Sequence, residues 1–158
     1  MIRSFVIGLG TLSLISLSSA LLAQDVKHGT EAEARAMLQK TIAAVKADKA
    51  KALEMIAKGE GGFRDRDLYP FCFNNTDGKI YPFPNPNSAA LFGTDERKVK
   101  DASGKNFGQM IFDAAQKPEG TITAVSYVAP KPDDSKPSPK VTFVTRIGDL
   151  GCGVGYSK

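Results

Sequence analysis

The stretch Gly62-Phe-Arg-Asp-Arg-Asp-Leu-Tyr-Pro-Phe-Cys-Phe-Asn-Asn-Thr-Asp-Gly-Lys-Ile-Tyr-Pro-Phe83 decides the fold class. Leu68 to Asn74 alternates, Asn75-Thr-Asp-Gly78 supplies turn chemistry, and Lys79 to Phe83 returns, which together predict a β-hairpin. Pro70 and Pro82 each remove a ladder donor and weaken the hairpin without erasing it. The Asn74-Asn75-Thr76 sequon is accounted for by the same polar turn. As a calcium loop the turn fails, since counting back from Gly78 puts Phe73 at the first ligand position.

Toward the N-terminus, residues 24–60 hold no aromatic and are rich in Ala, Lys and Glu. Ala34, Leu38, Ile42, Val45, Leu53 and Ile56 recur near helical spacing, so this is a helical region. Thr30 with Glu33 fits a capping box, Asp48 fits a second cap where the run breaks, and the Gly59 to Gly62 cluster ends it. The stripe reads as core packing, with a coiled-coil homodimer as the alternative.

Toward the C-terminus, residues 84–103 form a connection rich in Pro and Asn. Asn106 to Gln116 then places Phe107, Met110, Ile111 and Ala114 on one helical face. Gly120 to Ala129, Lys140 to Ile147 and Leu150 to Tyr156 predict three more strands, joined by Pro130 to Pro139 and by Gly148-Asp149. The expected fold is α+β: a five-stranded antiparallel sheet, a long N-terminal helical region covering one face, and a second short helix. Residues 24–158 make one domain.

Ahead of that domain, Arg3 precedes the apolar run Phe5 to Leu17 and the small residues Ser18-Ser19-Ala20, the order of a secretory signal peptide. Cleavage after Ala20 or after Ala23 is expected, and an uncleaved anchor is the alternative. The protein is therefore expected in the periplasm or secreted. Of the 158 residues, 24% are charged and 42% hydrophobic, a globular balance. A net charge of +4 falls short of the clustered basic surface that nucleic acid requires. With one histidine, His28, and two cysteines, Cys72 and Cys152, the usual four-ligand metal sites are excluded, and no metal or cofactor is expected. No nucleophile-base pair or carboxylate dyad emerges, so an enzyme is not expected.

The blocks Gly62 to Gly78, Leu91-Phe-Gly93, Asp101-Ala-Ser-Gly-Lys-Asn-Phe107 and Gly148-Asp-Leu-Gly-Cys-Gly-Val-Gly-Tyr156 resemble a single Cache domain. The resemblance spans roughly residues 30 to 157 and implies a PAS-like sheet, strand order 2-1-5-4-3, in an extracytoplasmic small-molecule sensor. It places the first and last strands side by side, so Cys72 and Cys152 are either disulfide-bonded or two buried thiols. Phe83 stands where many relatives have a histidine before proline, so no role of that histidine carries over. Signalling relatives continue through a membrane helix into an output domain, whereas a stand-alone secreted protein is expected here.

A pocket in such a fold needs apolar lining with a few converging polar groups. The candidates are Tyr69, Phe71, Phe73, Phe83, Phe92, Phe107, Met110, Tyr127, Phe143, Arg146 and Tyr156. Tyrosines are favoured, since a buried phenol needs a polar partner, and Arg146 lies in an otherwise apolar strand where it could clamp a carboxylate. Any single phenylalanine is as well explained by core filling. The Arg64-Asp-Arg-Asp67 run reads as a solvated loop that could rim the pocket. Gly151-Cys-Gly-Val-Gly155 is a glycine-rich final strand with no helix after it to present to phosphates, and close approach of backbone or ligand is its expected cause.

These readings converge on a periplasmic or secreted module that binds a small organic ligand, a carboxylate among the options, and either reports to a membrane receptor or sensor kinase or sequesters the ligand. The alternative is a non-catalytic interaction module whose vestigial pocket is filled by Phe83 and its neighbours. Intact-mass analysis of protein exported from its native host should give a chain beginning at Leu21 or Gln24; retention of Met1 would overturn the cleavage reading.

Overall fold

A computed structural model of the chain describes residues 28–131 and 134–158, with side chains of 130–135 outside the description, and the expected signal peptide lies outside the described residues. Two helices open the domain, α1 (Glu31–Ala47) and α2 (Lys49–Lys58). They form where the sequence supplies caps. Glu33 N–H donates to Thr30 Oγ1 while Thr30 N–H donates to Glu33 Oε2, a reciprocal box, and Lys51 N–H donates to Asp48 Oδ1 at the break. Gly59, in the left-handed region at φ 69°, ends α2.

The remaining elements are β1 (Pro70–Asn74), two 3₁₀ turns (Pro86–Leu91 and Glu96–Lys98), α3 (Phe107–Ala115), β2 (Thr123–Lys131), β3 (Asp134–Ile147) and β4 (Leu150–Ser157). The strands form one antiparallel sheet in the order β1-β4-β3-β2. Among the described residues this sheet has four strands, where five were expected. The missing one is Lys79 to Phe83, which touches β1 only through the isolated bridge Phe73↔Ile80. Asn74 N–H donates to the Lys79 carbonyl and Tyr81 N–H to the Cys72 carbonyl. The next pair in phase with these bonds would be Phe83 with Pro70, and Pro70 has no N–H to donate, so the ladder goes no further. On its far side Ile80 instead exchanges hydrogen bonds with Gly93 and Thr94.

Register and pleat sort the sheet into two faces. Val141, Phe143 and Val154 join Ala34, Met37 and Leu38 of α1 in one buried cluster. On the opposite face lie Phe71, Phe73, Lys140, Thr142, Val144 and the three glycines of β4, in register across β1, β4 and β3. Each glycine makes room for a neighbour. A Cβ at Gly151 would stand 2.3 Å from the Phe73 ring and 2.7 Å from Ala115 of α3; one at Gly153 would stand 2.9 Å from the Phe71 ring; one at Gly155 would stand 2.6 Å from Lys140 Cε and Thr142 Oγ1. The space is thus taken by side chains of the flanking strands and of α3 rather than by the backbone or ligand that was expected.

The charge run before β1 is not simply solvated. Asp67 is buried and accepts from Gly29 N–H at 2.6 Å, while Arg66 bridges Glu33 of α1 and Asp65. Together they fasten the start of α1 to the strand that follows.

Cys72 and Cys152 are register partners joined by a disulfide, with Cα atoms 4.1 Å apart. The Cys72 carbonyl turns toward Tyr81 and away from β4, so the two cysteines occupy a non-hydrogen-bonded pair, the closer-spaced kind in an antiparallel ladder. The bond closes a loop across a sequence separation of 80 residues. Replacing both cysteines with alanine should cost about 2–5 kcal/mol in urea unfolding, and adding reductant to the parent should produce a similar loss. A reductant-insensitive midpoint would show that the pair contributes nothing to stability.

Candidate ligand-binding site

The glycine-lined face of the sheet is only partly covered by α3. Beyond the end of α3 the sheet, the helix and the 83–101 connection enclose a cavity of about 280 Å³. Its apolar wall comes from Phe71 on β1, Phe83 and Leu91 on the connection, and Phe107 and Ile111 on α3. Ring packing holds that wall in place: Phe83 stacks on Tyr69 with centroids 5.5 Å apart and meets Phe92 edge-on at 5.0 Å, while Phe107 stacks on Tyr127 at 4.0 Å. Phe83 thus belongs to the wall and leaves the cavity open.

Polar groups converge on the same space. Asn85 Nδ2 donates to Tyr69 Oη at 2.8 Å, and Tyr127 Oη shares a hydrogen bond with Thr142 Oγ1 at 2.9 Å. Lys140, only 6% exposed, leaves β3 across the space that Gly155 vacates and sets its Nζ 5.2 Å from the centre of the Tyr69 ring. Burial by itself disfavours its ammonium, whereas the negative charge of Asp67, a hydrogen bond to Tyr69 and, at high pH, the ionised phenols of Tyr127 and Tyr69 favour it, and the net shift is upward. Burial likewise raises the Tyr127 phenol, which stays protonated. The site therefore presents the buried Lys140 ammonium beside the protonated Tyr127 phenol, with the Tyr69 ring against the ammonium.

Glu96, 4% exposed in the second 3₁₀ turn, also lines the cavity. Burial, with a smaller push from neighbouring Asp95, raises its carboxyl to about 8. Asp101, at the rim, is already used: Oδ1 accepts from Ser103 and from Lys105 N–H, and Oδ2 from Val128 N–H.

Of the residues singled out in the sequence, the structure gathers Tyr69, Phe71, Phe83, Phe107 and Tyr127 around the cavity. Phe92 stands behind Phe83, and Phe73 is buried under α3 against Phe112. Met110 points outward at 42% exposure. Arg146 is exposed and donates to the Gly148 carbonyl at the far end of the sheet. Phe143 and Tyr156 stack on the α1 face, where Arg35 lies over the Phe143 ring and Tyr156 Oη donates to Glu31. Lys140, Thr142, Asn85 and Glu96 were not singled out. Lys140 shares the face of Arg146 six positions along β3, so strand alternation was a signal for both, but only the pairing of strands tells which end carries the cavity.

Among the described residues no group of three or more His, Cys, Asp or Glu could hold a metal ion, and no helix is long and apolar enough to cross a membrane.

Residues 15–157 match the family model described as Single Cache domain 2. Solved structures share the fold. A methyl-accepting chemotaxis protein from Vibrio parahaemolyticus superimposes with a TM-score of 0.58 at 21% identity, covering 78% of this chain and 85% of that one. The periplasmic sensor domain of a chemotaxis protein gives 0.57 at 21% identity, covering 78% and 87%. A Cache chemosensory domain studied for carboxylic acid recognition gives 0.56 at 20% identity, covering 78% and 85%. No curated protein matches the chain.

The raised carboxyl sets a pH dependence. A folded-state value of about 8 against an ordinary 4.5 means that the folded form keeps a proton the unfolded chain has released. Glu96 should therefore cost stability increasingly as pH rises from 4.5 to 8, by at most about 5 kcal/mol, and nothing below that window. Glu96→Gln, which does not titrate, should match the parent in urea unfolding near pH 4 and exceed it increasingly up to pH 8. Parallel curves for the two proteins would overturn this assignment.

Proposed function

The chain belongs to the Single Cache domain 2 family, and on that premise we propose that it is an extracytoplasmic sensory module whose cavity binds a small organic carboxylate. Cache domains are sensory ligand-binding modules found outside the cytoplasm, which supports that compartment and a non-catalytic role. The observation that carries the reading is the Lys140 ammonium, buried at the wall of an aromatic cavity with Tyr69 and Tyr127 beside it. Asp67 supports this ammonium electrostatically, but no carboxylate among the described residues forms an ion pair with it, and a buried cation is best met by an anion in direct contact. The apolar wall supplies affinity, and the phenols, Asn85 and the ammonium supply orientation for a carboxylate.

The carboxylic acid chemosensory domain with the same fold makes such a ligand plausible chemistry for this architecture. The chemotaxis receptors it resembles suggest the partner: a membrane receptor or sensor kinase that reads the occupied state. The open cavity argues against a vestigial pocket, because Phe83, the residue expected to fill it, is held back by Tyr69 and Phe92.

Thermal unfolding with the unbranched monocarboxylates from acetate to valerate tests this. At least one should raise Tm saturably by several degrees when present far above its Kd. Lys140→Met keeps the aliphatic stem over Gly155 but removes the charge, and should abolish the rise. No saturable rise with any of the acids, or an undiminished rise in the variant, would overturn the reading.

A further inference from the structure

Two side chains of opposite character line the cavity without pairing with each other. Lys140 stands on the sheet; Glu96 stands on the connection that closes the cavity from the other side. The Glu96 carboxyl has no hydrogen bond and no ion pair among the described residues, although it is 4% exposed. Its neighbours in sequence do not serve it. Arg97 is held by Asp95 and the Asp77 carbonyl, and Lys98 is exposed. The other carboxylate on the cavity, Asp101, is saturated by Ser103, Lys105 and Val128. Glu96 is thus the one carboxyl lining this cavity whose oxygens are unused.

Buried polar groups are nearly always paired, and one left unpaired destabilises the fold. The Glu96 oxygens are not fully covered but open onto the cavity, so their partner is whatever occupies that space, water or a ligand donor. A plain carboxylate would satisfy Lys140 and could accept the proton of the neutral Glu96 acid, but it offers no donor and no charge to the ionised form. A hydroxyl would give one hydrogen bond. An ammonium gives several N–H donors and a charge, and it leaves the buried charges balanced: ligand carboxylate against Lys140, ligand ammonium against ionised Glu96. With its carboxyl at about 8, Glu96 gives up its proton near pH 7 at only about a tenfold disadvantage, which a contacting cation readily reverses. Tyr127 and Lys140 face it across the cavity, Asp95 adjoins it along the chain, and Lys100 lies at the rim.

We propose that the cavity recognises a small aminocarboxylate, its carboxylate met by Lys140 and Tyr69 and its ammonium by Glu96. This rests on the carboxylate reading above and names the second half of the ligand. The cavity of about 280 Å³ lies at the small end of ligand pockets, which suits a molecule of this size.

Calorimetric titration of the mature protein at pH 7 tests it with three matched series of increasing chain length: glycine, β-alanine, 4-aminobutyrate and 5-aminovalerate; the same acids without the amine; and the same acids with a terminal hydroxyl. At one length the amine should bind at least about tenfold tighter than both analogues, the size of one charge-assisted contact. Glu96→Gln should reduce that preference to below about threefold while leaving the plain acid within about twofold. Lys140→Met should abolish binding of all three series. Plain or hydroxy acids that bind as tightly as the amine at every length, or a preference that survives Glu96→Gln, would overturn the aminocarboxylate assignment alone. Absence of binding in all three series would overturn the carboxylate reading with it.

Discussion

The missing side chains at Gly151, Gly153 and Gly155 are the constraint on which the rest of this structure depends. A sheet face normally carries a row of side chains at every second position, about 10 Å thick against its neighbour. On β4 that row is absent. The Phe73 and Phe71 rings and the stem of Lys140 fold across the vacated backbone, and Ala115 of α3 comes down onto Gly151. α3 sits low at one end of the sheet as a result, and the other end is left for the cavity. The same strand carries Cys152 on its opposite face, bonded to Cys72 of β1, so the two strands cannot slide to change which residue meets which glycine.

That constraint also explains how a lysine comes to be buried. An ammonium on a sheet face would ordinarily stand up into solvent. At Gly155 the stem can lie flat and the charge is delivered sideways onto the Tyr69 ring, within an aromatic wall that Phe83 and Phe92 brace. Tyr127, stacked on Phe107 and bonded to Thr142, fixes the opposite flank. The rigidity of the site thus comes from rings and strands, while its charges come from two residues that packing alone does not require.

Much of the fold was legible because its signals are local. The Thr30 box, the Asp48 cap and the Gly59 stop mark α1 and α2, and Asn106 caps α3 where the periodicity begins. The lost strand shows the limit of such signals: alternation from Lys79 to Phe83 is real, but its next in-phase partner on β1 is Pro70, which has no N–H, and Gly93 and Thr94 take the backbone groups of Ile80. The site was half legible. Aromatic residues announce a cavity wall, and five of them stand there, yet the same pattern also describes Phe73 in the core and Phe143 on the far face. For the charged residues the missing information was topological. Lys140 and Arg146 lie on one face of one strand, and only strand pairing puts the first beside Tyr69 and Tyr127 and the second out at the Gly148 turn.

Glu96 is illegible for a different reason. In the sequence it belongs to the charged run Asp95-Glu-Arg-Lys98, of which Lys98 is exposed and Asp95 and Arg97 are half-buried. Asp95 caps the 3₁₀ turn and pairs with Arg97, and this fixes the turn so that the next residue faces inward. A carboxyl forced into an apolar wall by its neighbours' capping bonds could be relieved by a single change to an apolar residue, with a gain in stability across the neutral range. Local rules broken without compensation tend to sit where function requires them. Here the broken rule and the buried lysine open onto the same cavity, and one occupant with two charged ends would mend both.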